Sequence, residues 1–220
     1  MVVTSHGRLE RTGKLTGLWF PEAARTFASC RGLGVEPRVV SIQGGRVPLD
    51  PACSISMDGR AGSHPYADLS LLLEHTESVA DVSAADCDLL YLASGHGAMV
   101  DFVADDHIAR LIREVTQAGR PVAAVGHGVA GLLATRNGER PVVASRKITS
   151  FSTSEERLVH MADNLPYSLP DALARAGARY RPAPVPFLPY VVRDGMIVTG
   201  ANPSSASRVL RTAWQLVPTS

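Results

Sequence analysis

The stretch Pro121-Val122-Ala123-Ala124-Val125-Gly126-His127-Gly128-Val129-Ala130-Gly131-Leu132-Leu133 constrains this chain more than any other. A short apolar run breaks at a glycine-flanked histidine and resumes as a helix-compatible segment, so it predicts strand, sharp turn, helix. In α/β folds such a turn holds one residue at the carboxyl end of a central strand, where N–H donors of the following helix converge, and a nucleophile is often placed there. Here that residue is Gly126, which has no side chain to attack with.

A second turn of this kind, Ser94-Gly95-His96-Gly97, follows the strand-like run Asp88-Leu89-Leu90-Tyr91-Leu92-Ala93. Between the two turns, Ile108, Leu111, Ile112 and Val115 recur at i, i+3, i+4 and i+7. Asp105 or Asp106 supplies an N-cap and Gly119 with Pro121 a stop, which predicts a helix. Strand, helix and strand joined by short turns imply parallel strands with a right-handed crossover. The two glycine turns then open side by side on the carboxyl edge of one sheet, where α/β proteins place their ligands.

The remaining chain reads as more of the same fold class. Met1 to Thr4 is a very short first strand, followed by a polar loop from Ser5 to Gly17. Phe20, Ala23, Ala24, Phe27 and Ala28 predict a helix that starts at Pro21 and fades at Gly32 and Gly34. Arg38–Ile42 is a compact strand, Ala52 to Tyr66 is loop-like, and Leu69, Leu72 and Leu73 suggest a short helix. Pro141–Ala144 and Lys147–Ser150 resemble strands, and the proline-punctuated Arg181–Pro189 reads as a covering segment. Val191–Gly200 predicts a hairpin with an Asp-Gly turn, and a last helix runs from about Ser205 to Leu216.

With 220 residues, 45% of them hydrophobic, the chain is long enough for one well-buried domain spanning 1–220 and too short for two. A net charge of +1 and the absence of a basic tract give no electrostatic case for nucleic acid or an anionic membrane. No apolar run approaches the roughly 20 residues of a membrane span. Three cysteines, Cys30, Cys53 and Cys87, lack zinc or disulfide spacing, so a soluble protein of a reducing cytoplasm is expected. Histidines 6, 64, 75, 107 and 160 are scattered in polar contexts, and neither a metal nor a cofactor is expected.

Several motifs, taken in order, carry a family resemblance. They are Thr16-Gly17-Leu18-Trp19 with Glu22, Gly44-Gly45-Arg46-Val47-Pro48-Leu49-Asp50-Pro51, and Gly95-His96-Gly97 with Met99 and Asp101. Pro121 to Gly128, Phe151-Ser152-Thr153-Ser154-Glu155-Glu156 and Thr199-Gly200-Ala201-Asn202-Pro203-Ser204-Ser205 complete the set. Across nearly its whole length the chain resembles the ThiJ/PfpI superfamily, in the branch of heat-shock chaperone-like, glutathione-independent glyoxalases. That resemblance implies a flavodoxin-like three-layer α/β sandwich, with a mostly parallel central sheet between helices, and usually a homodimer.

In the enzymes it resembles, a cysteine stands at the position of Gly126, followed by a histidine matched by His127. The acid of the triad matches Glu156, with Glu155 as a register-shifted second choice. Glu22 matches a glutamate that reaches the cysteine sulfur, and the N–H groups of Gly95 and His127 match the oxyanion donors. Ser94 replaces a usual glycine and Val100 a usual large aromatic, which suggests a reshaped pocket, and Gly95, His96 and Gly126 are the residues expected to bind the substrate.

Without a thiolate the covalent route of those enzymes cannot begin. Glycine at the elbow then has two readings. One is decay, with relief of a backbone strained by positive φ. The other is acid–base chemistry on a small carbonyl-containing metabolite, with Glu22 as proton carrier, His127 assisting and Glu156 orienting it. Glu22 also suits a plain helix-dipole role. His96 reads as packing beside its turn, and Ser94 lacks a recognisable base to make it a nucleophile. The alternative to an enzyme is a non-catalytic holdase or ligand-binding member.

Overall fold

Alternation along the central strands builds both faces of the sheet at once. Leu90, Leu92, Val122, Ala124 and Ile197 pack on one side against Ile108, Leu111, Ile112 and Val115. Tyr91, Ala93, Ala123, Val125 and Val198 point the other way, onto Ala24, Phe27, Leu210 and Ala213. Successive strand side chains alternate faces, so each short apolar run serves two cores.

The computed structural model describes residues 1–53, 66–138 and 140–218. Its seven-stranded sheet runs in the order Val191–Asp194, Ile197–Gly200, Val122–Val125, Leu90–Leu92, Val2–Val3, Val40–Ser41 and Glu77–Ser78. Every neighbouring pair is parallel except the terminal hairpin. Helix Asp106–Gln117 lies against the first face, and helices Phe20–Gly32 and Ala206–Trp214 against the second. This is the expected flavodoxin-like arrangement.

The helix between the two glycine turns forms for the reasons its sequence supplies. Asp105 caps it, its carboxylate accepting from the Ile108 N–H at 2.8 Å. Ile108, Leu111, Ile112 and Val115 are fully buried, each worth roughly 1.5–3 kcal/mol relative to exposure. Among the described residues no helix is long and apolar enough to cross a membrane.

Some local expectations change. Only Val40–Ser41 of Arg38–Ile42 joins the sheet. Val142–Ser145 forms a turn where a strand over Pro141–Ala144 was expected, because the Ala144 N–H bonds back to the Pro141 carbonyl and Ser145 takes a positive φ of 63°. Val142 and Val143 are nevertheless buried, which accounts for their strand-like appearance. The edge strand Glu77–Ser78, helix Leu169–Arg175 and strand Arg179–Tyr180 had no counterpart in the sequence reading. The loop expected from Ala52 to Tyr66 falls mostly outside the described residues.

Candidate active site

The parallel pairing of Leu90–Leu92 with Val122–Val125 delivers both glycine turns to one place. The first is clamped by the preceding loop: the Trp19 N–H donates to the Ser94 carbonyl at 3.1 Å. Gly95 has φ +140°, and a Cβ there would lie 2.2 Å from the Gly17 carbonyl oxygen, so only glycine allows this approach. The second turn opens on Gly126, whose φ of +54° is the left-handed conformation expected of an elbow.

The space beside Gly126 is occupied from the neighbouring strand. A Cβ on Gly126 would come within 2.5 Å of Ser94 Oγ and 3.3 Å of Ser94 Cβ. The His127 N–H, expected to serve an oxyanion, donates instead to Ser94 Oγ at 3.3 Å. Ser94 Oγ also lies 3.5 Å from His127 Nδ1. No motif in the sequence supplies a base for Ser94; strand pairing is what brings the His127 imidazole beside its hydroxyl.

His127 is the middle of a longer polar row. Its Nε2 is 2.6 Å from Glu156 Oε1, and the other carboxylate oxygen of Glu156 lies 3.2 Å from His96 Nε2. His96 Nδ1 faces Asp50 Oδ2 at 3.8 Å. Asp50 is held by the Thr16 hydroxyl at 3.1 Å and the Ala52 N–H at 3.0 Å. The structure thus recruits His96, which the sequence placed as packing, and adds Asp50, which lay unremarked inside a matching motif.

Burial and charge assign the protons along this row. Burial opposes a charged His96, but Asp50 and Glu156 on its two sides outweigh it and raise its pKa to about 9. Burial likewise opposes ionised Glu156, yet His127 and His96 hold it down at about 2. Burial together with the His96 cation lowers His127 below the usual histidine range. His96 is therefore an imidazolium between two carboxylates, and His127 is neutral. Because an ionised Glu156 only accepts, His127 carries its hydrogen on Nε2, leaving the Nδ1 lone pair toward Ser94.

Nitrogen and oxygen donors of His96, His127 and Glu156 lie within 4.8 Å of one another, a proximity that no spacing in the sequence announced. In the geometry observed, both Nε2 atoms are directed at the Glu156 carboxylate.

Glu22 sits behind this row and not in it. It is fully buried. Its Oε1 accepts from the Tyr91 and Thr26 hydroxyls, the latter at 3.0 Å, and its Oε2 accepts from the Ser94 N–H at 2.8 Å. Burial raises its pKa against the pull of these donors. Glu155 is engaged elsewhere: it closes a capping box with Ser152 and accepts from the Phe187 N–H at 2.8 Å and Asn202 Nδ2 at 2.9 Å. Of the two candidate acids, Glu156 is the one that meets His127.

A cavity of about 580 Å³ opens onto Ser94, Gly95, His96 and His127. Trp19, Met161, Phe151 and Phe187 give it apolar walls. Phe151 stacks at 4.8 Å from the His127 ring, and His96 at 4.1 Å on the same imidazole. Phe187 comes from the proline-punctuated segment read as a covering segment, and holds a positive φ of 62°.

Known proteins share this fold and sequence pattern. A model of the DJ-1/PfpI family matches residues 22–215. Glutathione-independent glyoxalase hsp3102 of Schizosaccharomyces pombe is 28% identical, covering 94% of this chain and 92% of its own length. Glutathione-independent glyoxalase HSP31 of Saccharomyces cerevisiae is 29% identical over 88% of this chain and 86% of its own. The X-ray structure of Francisella tularensis Rapid Encystment Protein 24 kDa superposes with a TM-score of 0.91 at 30% identity, covering 100% of this chain and 98% of that one.

Proposed function

Because the chain belongs to the DJ-1/PfpI family, we propose that it is a cofactor-independent enzyme of lyase, hydratase or isomerase type, moving protons on a small carbonyl-containing metabolite. Similar proteins bear the name glutathione-independent glyoxalase, which places their chemistry at a carbonyl. The observation that carries the reading is the His127 imidazole, its Nε2 held at 2.6 Å by Glu156 and its Nδ1 facing Ser94 Oγ at 3.5 Å, beside a cavity that His127 and Ser94 both line.

His127 accepts a proton from the carbon beside the carbonyl, and Glu156 stabilises the imidazolium that forms. The His96 cation lies against the same ring and favours negative charge developing on the substrate oxygen, as does the Gly95 N–H. Glu22 contributes through Ser94, whose N–H it fixes. Gly126 stands in place of a sulfur nucleophile, so the hemithioacetal route is closed. Among the described cavity-lining residues there is no cysteine. Burial pushes the Cys53 thiol up to about 11, which makes it a poor thiolate.

Deuterium exchange at carbon beside the carbonyl of methylglyoxal and dihydroxyacetone, followed by proton NMR in deuterium oxide, tests the reading. Loss of the base in His127→Ala should slow exchange by about 10²–10⁴-fold. Equal exchange by the folded variant would overturn it.

A further inference from the structure

We propose that Ser94 is a nucleophile and that this site also transfers acyl groups from esters or thioesters to water. Three geometric observations carry this. Ser94 Oγ fills the volume that a side chain on Gly126 would need, so a hydroxyl from one strand end takes the place of the residue missing from the other. The hydroxyl faces His127 Nδ1 at 3.5 Å while His127 Nε2 meets Glu156 at 2.6 Å, which is the order nucleophile, base, orienting acid. Nucleophile–base hydrogen bonds in unliganded sites are often long and shorten when substrate arrives. Finally, Ser94 lines the cavity while Glu22 accepts from its N–H, so its backbone is fixed beside that space.

The step balances without any further reagent than water. Ser94 Oγ attacks the acyl carbon and its proton passes to His127 Nδ1. The tetrahedral adduct collapses, the bond to the leaving oxygen or sulfur breaks, and His127 returns the proton to that atom. Water then repeats the sequence on the acyl-serine, releasing a carboxylic acid and restoring the hydroxyl. Trp19, Met161, Phe151 and Phe187 suit an apolar acyl group of modest size. The proposal rests on the reading of His127 as proton acceptor and extends it to substrates with a leaving group.

A fluorophosphonate probe tests it on the whole chain, because such probes phosphonylate activated serines whatever their natural substrate. We expect tryptic mass spectrometry to find the adduct on Ser94, none in Ser94→Ala, and labelling slowed at least about tenfold in Glu156→Gln. Hydrolysis of p-nitrophenyl butyrate should vanish with S94A. A folded wild-type chain that leaves Ser94 unlabelled, or labels no faster than the urea-unfolded chain, overturns the proposal, and neither result depends on a variant folding. Deuterium exchange separates the two readings: exchange that needs His127 while Ser94 stays unlabelled removes the nucleophile and keeps the base.

Discussion

Ser94 and Gly126 share one space: a Cβ on Gly126 would sit 2.5 Å from Ser94 Oγ, although the two residues follow different strands. A side chain at one position and a hydroxyl at the other are mutually exclusive unless something moves. The identities at 94 and 126 are therefore coupled.

Gly126→Cys should be destabilising by about 1–3 kcal/mol, from left-handed backbone strain and the clash with Ser94. Adding Ser94→Gly removes the clash, so the double variant should recover at least about 1 kcal/mol beyond additivity. Urea unfolding of the four proteins measures this, and additive effects would disprove the coupling.

The pH profile of kcat/KM should be bell-shaped. On the acid side the rate falls as His127 takes a proton, below the usual histidine range because burial and the His96 cation lower its pKa. On the alkaline side it falls near pH 9, as His96 between Asp50 and Glu156 loses its charge. His96→Gln should abolish the alkaline limb. Its persistence there would assign that limb to another group.

Folding stability carries the same signature. The His96 pKa is about 9 folded against 6.5 for a free histidine, so its contribution is fully present below about pH 6.5 and is lost as pH rises through 9. At about 1.4 kcal/mol per unit this amounts to roughly 3 kcal/mol at most, counted once for the row it shares with Glu156. Glu156, depressed to about 2 from 4.5, acts in the opposite direction, its contribution being lost as pH falls from 4.5 through 2. Melting temperatures of wild type and H96Q should therefore converge between pH 7 and pH 10; a constant gap would exclude the linkage.

Much of this site was legible because its scaffold is periodic. The runs ending at Ala93 and Val125 and the helix through Ile108 and Val115 bury their apolar residues at the spacing of their own secondary structure, and the crossover rule then places the two turns together. Glu77–Ser78 was not legible, since a polar edge strand has no apolar pattern to read. The choice between Glu155 and Glu156 is also written in the sequence. Ser152 with an acid three residues on is a capping signal, which commits Glu155 to the helix end. No such signal connects Asp50 with His96 or Ser94 with His127. Those contacts join distant loops, and only the fold brings their polar atoms within reach.

Glu22 decides whether the back of the site matters to the front. Its carboxylate takes the Ser94 N–H and the Tyr91 and Thr26 hydroxyls in a fully buried place, so Glu22→Ala strands the Ser94 N–H and leaves the two hydroxyls, 2.9 Å apart, only each other. The cost should be about 1–3 kcal/mol for the orphaned N–H, read by urea unfolding. Glu22→Gln preserves volume, but its amide offers only one oxygen to donors on both sides, and its NH₂ group must face either Ser94 N–H or the hydroxyl pair. E22Q should therefore stay folded with Ser94 displaced, losing kcat with little change in KM, because Glu22 does not line the cavity. A change confined to KM would instead mean that Glu22 contacts substrate, and unchanged kinetics would remove it from the mechanism.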